Sequence, residues 1–196
     1  MKKWLFLIFS IAVLWKMLAG NDSVVLGPGI KVADPPVQED LVHATPFNFK
    51  GYRLTPLAMF QLKGKVLSRK NYSFGRESEL SPVDLALGWG DMSDETVLDK
   101  IDISQSGRWY RWQVQAFPIP RKAIETQSAN MHLIPANELV EDTIDLVKQG
   151  QLVELNGYLI QAEADDGWHW KSSLTRNDTG AHACELVYVE SIQVIH

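Results

Sequence analysis

From residue 60 onward, apolar and polar side chains alternate with a period of two, and glycines stand inside the apolar series. Phe60, Leu62, Gly64 and Val66 share one face against Gln61, Lys63 and Lys65, and Val153, Leu155, Gly157 and Leu159 repeat the arrangement within residues 151–162. Such a period puts alternate residues on opposite faces of a strand, and an internal glycine marks a bulge or a close backbone approach. Tyr110, Trp112 and Val114 alternate in the same way with Trp109, Arg111 and Gln113. The pair Ser106-Gly107 ahead of them predicts a hairpin between residues 101–105 and 108–115, ended by Pro118 and Pro120. Residues 168–174 and 183–195 read as two further strands joined by the polar stretch 175–180, and with 151–162 they would form a meander.

Helical signals are fewer. Asn137 caps a stripe of Val140, Ile144 and Val147, Lys148 stands in the last turn and Gly150 stops it, which predicts one main helix over residues 137–149. Ser81-Pro82 before residues 83–88 reads as a short helical turn, and Ser93-Asp94-Glu95 opens a second through Val97, Leu98 and Ile101. The class is therefore β-rich α+β, with short helical turns beside one main helix.

Residues 1–20 have a different character. Lys2 and Lys3 precede an uncharged apolar run over residues 4–15, the pattern of a secretory signal. As an uncleaved anchor, residues 4–19 would reach about 24 Å, short of a hydrocarbon core of roughly 30 Å, with Lys16 snorkelling and Trp4 and Trp15 at the interfaces. Either outcome, a membrane-spanning anchor or a cleaved leader, places the domain outside the cytoplasm. Residues 21–45 hold Gly27-Pro28-Gly29 and Pro35-Pro36 with little apolar periodicity, and are expected to be a flexible tether. Residues 46–196 remain for a single globular domain, which is the usual size for one core.

The chain carries a formal charge of -5, but Lys2, Lys3 and Lys16 all lie in the leader, which leaves 16 basic against 24 acidic side chains. Nucleic-acid binding by counterion release needs clustered Lys and Arg, and this balance excludes it. The densest basic run, Lys63, Lys65, Arg69 and Lys70, reads as a guarded strand edge. With one cysteine, Cys184, no internal disulfide can form, and no metal-binding or nucleotide-cofactor motif occurs, so neither metal nor cofactor is expected.

Two segments share the pattern polar-Leu-x-Gly-x-apolar-apolar, residues 61–67 and 154–160, as two bent, glycine-kinked barrel strands would. Residues 150–159 (GQLVELNGYL) resemble the opening strand of OB-like barrels, which implies a small OB-like or related partly open barrel. Residues 132–137 (HLIPAN) and 170–185 (WKSSLTRNDTGAHACE) resemble segments of uncharacterised bacterial membrane-anchored proteins of about this length. That resemblance implies a bacterial envelope location and brings no activity with it.

Candidate chemistry gathers near the C-terminus. If residues 168–174 and 183–195 pair about the 177–178 bond, Cys184 faces Lys171, with His169 on the diagonal and His182 on the same face. A thiolate nucleophile needs such a neighbour to lower its pKa and carry a proton, so Cys184 with His169 or His182 describes a hydrolase or transferase, with His132 as a further proton carrier. The plainer alternative makes Cys184 a small buried hydrophobe. Arg76 and Arg176 could converge on a carboxylate or phosphate, with Asp178 beside the latter; otherwise they tie loops together. Trp89, between two glycines, is either a plug over the barrel or an exposed anchor for a protein partner. Together with Trp109, Trp112, Trp168 and Trp170 it describes an aromatic cleft better suited to a sugar-like or peptide ligand than to a polyanion. The leading expectation is a non-enzymatic envelope protein that binds a protein or envelope component; the alternative is the Cys184 enzyme.

Overall fold

The computed structural model describes residues 23–175 and 184–196. Among these residues are ten strands: β1 (Val37–Asp40), β2 (Phe47–Phe49), β3 (Tyr52–Asn71), β4 (Val83–Gly88), β5 (Asp102–Ser106), β6 (Trp109–Gln113), β7 (Ser128–Pro135), β8 (Leu152–Glu163), β9 (His169–Lys171) and β10 (Glu185–Ile195). The helices are α1 (Glu77–Leu80), α2 (Glu95–Leu98), α3 (Arg121–Thr126) and α4 (Glu138–Leu146), with a 3-10 turn at Gly90–Ser93. The molecule is a β-rich α+β protein.

Five strands run round a ring in the order β3, β4, β7, β10, β8, and a pairing between β8 and β3 joins its flanks. All neighbours are antiparallel except β7 and β10, which are parallel. β3 can serve both flanks because it is long: Arg53 to Lys65 pair with β8, and Lys65 to Asn71 pair with β4 across a bulge between Val66 and Ser68. Such a bulge bends a strand and increases its twist. β8, whose sequence resembles an opening strand, is the fourth of the five in chain order.

Phe60, Leu62, Leu85, Leu87, Met131, Leu133, Val153, Leu155 and Leu159 fill the inside of the ring, joined by Val140 and Ile144 of α4. Burying each such side chain contributes about 1.5–3 kcal/mol. The helix starts where the cap predicts, with the Val140 N–H donating to Asn137 Oδ1 at 3.1 Å, and ends at Leu146, three residues before the expected limit. Gly157 is required by a close approach, since a Cβ there would run into the Tyr188 carbonyl.

Several expectations are corrected. Residues 83–88 are a strand, buried at every position. Val83, Leu85 and Leu87 point into the ring, while Ala86 packs under a second apolar cluster with Leu67, Met92, Ile101 and Ile124. Burial on both faces removes the polar alternation that announces a strand, and Ser81-Pro82 imitates a helix start. Lys65 belongs to no solvated edge: it is 2% exposed, and its Nζ donates to Glu95 Oε1 at 2.6 Å and to the Gly150 carbonyl at 3.2 Å. Much of the segment expected as a tether is laid on the domain. Val24 N–H donates to the Gln149 carbonyl, Val32 is buried in the main core, and β1 pairs with β3. β9 pairs with β8, Gln161 opposite Lys171, and makes no ladder with β10.

The transmembrane helix expected at residues 4–19 falls outside the described residues. Among those described, no helix is long and apolar enough to cross a membrane, and the anchor reading is withdrawn.

The hairpin β5–β6 forms a separate two-stranded sheet, but its turn is Gly107-Arg108 and not Ser106-Gly107, so Ser106 stands opposite Trp109 and Arg108, expected in the strand, lies at the tip. Tyr110 packs beneath it, its hydroxyl donating to Ser128 Oγ at 3.2 Å, and burial pushes its phenol up to about 12. A folded-state pKa above the unfolded value means that the folded chain keeps a proton the unfolded chain has lost. Stability is therefore whole below pH 10 and falls as pH rises from there towards 12, by on the order of 2 kcal/mol. Urea unfolding across this range should show the loss, and Tyr110→Phe should flatten it; an unchanged slope in that variant would assign the loss to the other tyrosines.

Candidate functional site

The tip of the β5–β6 hairpin is a two-residue turn in which both central residues are left-handed, Gly107 at φ 57° and Arg108 at φ 68°. Such turns match the twist of the flanking strands, and glycine or asparagine normally takes the second place. An arginine there costs roughly 1–2 kcal/mol. Its backbone N–H donates to Tyr72 Oη at 3.0 Å, and its guanidinium lies 3.8 Å from the centroid of the same ring. Nη2 donates to the Ser81 carbonyl at 2.8 Å and Nη1 to Asp84 Oδ1 at 2.6 Å. Burial also pushes the Tyr72 phenol above its ordinary value.

Asp84 has no exposed side-chain surface, because β4 turns it outward beneath the hairpin. His132, on neighbouring β7 and opposite Asp84 in the ladder, brings Nδ1 within 2.9 Å of the same Oδ1. The ring nitrogen is not aligned for a hydrogen bond, and Asp84 Oδ2 has no hydrogen-bond partner among the described residues. The imidazole packs on the Trp170 indole, centroids 4.8 Å apart.

Above these groups opens a cleft of about 450 Å³, lined by Tyr72, Phe74 and Glu77 from the β3–β4 connection, Gly107 and Arg108 from the hairpin, His132 from β7 and Trp170 from β9. Phe74 stands 92% exposed at its rim. Arg76 braces one side. Its Nη1 donates to Asp166 Oδ2 at 2.6 Å, its guanidinium lies over Trp168 and Tyr52, and the Tyr52 hydroxyl donates to Glu79 Oε2 at 2.7 Å. The Arg76 hydrogen bond holds the Asp166 carboxyl below the usual carboxylate range. Arg76 thus ties two loops across the rim.

Cys184 lies behind the hairpin tip. Its Sγ donates to the Arg108 carbonyl at 3.8 Å and accepts from Asn130 Nδ2 at 3.7 Å, and Asn130 accepts from Gln105 Nε2 at 2.6 Å. It faces Ser173, whose N–H donates to its carbonyl, in place of Lys171. Cys184 and His132 therefore flank Arg108 from different sides, and only His132 lines the cleft. His169 is exposed, and strand alternation turns it away from Trp170. Trp89 is 2% exposed within the main core, the position of a plug. Arg176, Asp178 and His182 lie outside the described residues.

Asp84, Arg108, Tyr72, Phe74 and Glu77 were not legible as site residues. One signal was present: Asp84 is the only charged residue between Val83 and Gly88, a run buried throughout. Comparison with protein-family models, curated proteins and solved structures finds no match. Envelope and signal-anchor assignments gain nothing from it and are not carried further.

Proposed function

We propose that the domain is a non-enzymatic binding module, an OB-like barrel whose cleft takes a small polar ligand. Five strands with Greek-key connections, β7 linked through α4 to β8 and then β10, suit an OB-like arrangement. Barrels of that kind bind ligands over their second and third strands between flanking loops, and the cleft opens on β7 at His132, whose ladder partner is Asp84 of β4.

The observation that carries the reading is Arg108. A glycine at this turn position and a small residue in place of Asp84 would build the same hairpin at lower cost, since left-handed backbone and a buried ion pair both oppose folding. The arrangement instead fixes a guanidinium and an imidazole, backed by one carboxylate, at the edge of an aromatic cleft. A second reading, the Cys184 hydrolase or transferase, is favoured by the approach of His132 to Asp84, though Cys184 does not line the cleft.

Titrating isotope-labelled protein with a mixture of small polar fragments separates the two. A binding module should show shifts confined to the Trp170 indole and the amides of residues 72–77, 107–108 and 132, with Cys184 reacting with a thiol reagent only after unfolding. Shifts scattered over the surface would remove the binding reading, and rapid Cys184 labelling in the folded protein would favour the enzyme.

A further inference from the structure

Resting on the binding reading, we infer that the cleft is built for a neutral saccharide, a mono- or disaccharide whose ring faces stack on Trp170 and the exposed Phe74. The lining excludes the other classes in turn. Arg108 is neutralised by Asp84 at 2.6 Å, and Glu77 adds a negative charge with no ion-pair partner among the described residues, so a polyanion gains no net attraction. A cation could meet Glu77 but would leave the Arg108 Nε–H, which bonds to none of the described residues, without an acceptor. A wholly apolar ligand would strip water from Glu77 and Arg108 and return no hydrogen bonds.

An extended peptide held by its main chain needs an open strand edge. β4 is already paired with β3 and β7, and β7 with β4 and β10, while the free edge of β9 is three residues long, too short to hold a peptide by its main chain. A saccharide meets each constraint. Its C–H faces lie on aromatic rings, its hydroxyls donate to the Glu77 carboxylate, and they accept from the Arg108 Nε–H, which bonds to none of the described residues. A volume of about 450 Å³ falls within the range of small-molecule sites.

The test is a tryptophan-fluorescence titration of the folded protein with maltose, chitobiose, a heparin disaccharide and a neutral tetrapeptide. Maltose or chitobiose should saturate the signal with an affinity unchanged at high salt. Trp170→Ala should lower that affinity by about tenfold or more, and Glu77→Gln, on the open rim where folding is not at stake, by about threefold to tenfold. Saturation by the heparin disaccharide or the peptide, with both neutral saccharides silent, overturns the saccharide while leaving the binding module standing. Silence from all four overturns it too, and silence in the fragment titration as well removes the binding reading beneath it.

Discussion

Arg108→Ala should destabilise the domain by about 3–5 kcal/mol, measured as a fall in the urea midpoint at an unchanged slope. The guanidinium is 17% exposed and Asp84 is fully buried, so truncating the arginine leaves a carboxylate in a low-dielectric site with no hydrogen bond from the described residues and His132 unaligned beside it. It also frees the Ser81 carbonyl and removes the cation from the face of Tyr72. Two companion variants identify the cause. Asp84→Asn in the Arg108→Ala background removes the stranded charge and should recover more than half of the loss, a coupling that independent sites would not show. Arg108→Gly makes the same electrostatic deletion in a residue at ease with positive φ, and should be more stable than Arg108→Ala by roughly 0.4–1 kcal/mol or more. An Arg108→Ala protein within about 0.5 kcal/mol of wild type would mean that the pair holds nothing, and the case for a site prepared at a cost in stability would go with it.

Legibility in the sequence follows burial. β8 and the β5–β6 hairpin show themselves because each keeps polar residues on one face, in period with its apolar ones. α4 shows itself through the Asn137 cap and a one-sided stripe. β4 and β7 are buried at every position, one between the ring and the β5–β6 cluster, the other with Ser128, Asn130 and His132 turned outward into the polar contacts under the hairpin. A buried polar residue looks in sequence like a solvent-facing one, and this hid His132's role while making Asp84 look like part of a helical turn. The expected C-terminal hairpin failed for a different reason. β9 has only three residues and finds its partner in β8, so the register that set Cys184 against Lys171 and His169 never forms. The site itself joins residues from position 72 to position 170, and no local pattern carries that convergence.

Trp89→Ala should cost about 3–5 kcal/mol, a loss comparable with that of Arg108→Ala but from another source. The indole is 2% exposed and packs in the main cluster, at the point where β4 ends and the chain turns into the 3-10 segment. Both flanking glycines exist to let it turn inward. A Cβ at Gly88 would collide with the Met92 carbonyl, and Gly90 takes φ 54° with a Cβ position already occupied by the Gln127 side chain. The backbone is pinned in that path, since Trp89 N–H donates to the Gln127 carbonyl and Gly90 N–H to the Val32 carbonyl. Pinning prevents the surroundings from collapsing into the space left by the ring, and incomplete collapse is what raises the cost of a large-to-small change. Trp89→Phe, which keeps most of the volume, should lose less than half as much. Calorimetric melting of both variants gives the comparison, with saccharide titration as the control: at a temperature where Trp89→Ala remains folded, its affinity should match wild type because the indole lies inside the ring and the cleft outside it. A variant that melts normally but loses ligand would instead put Trp89 in the binding surface, against its burial.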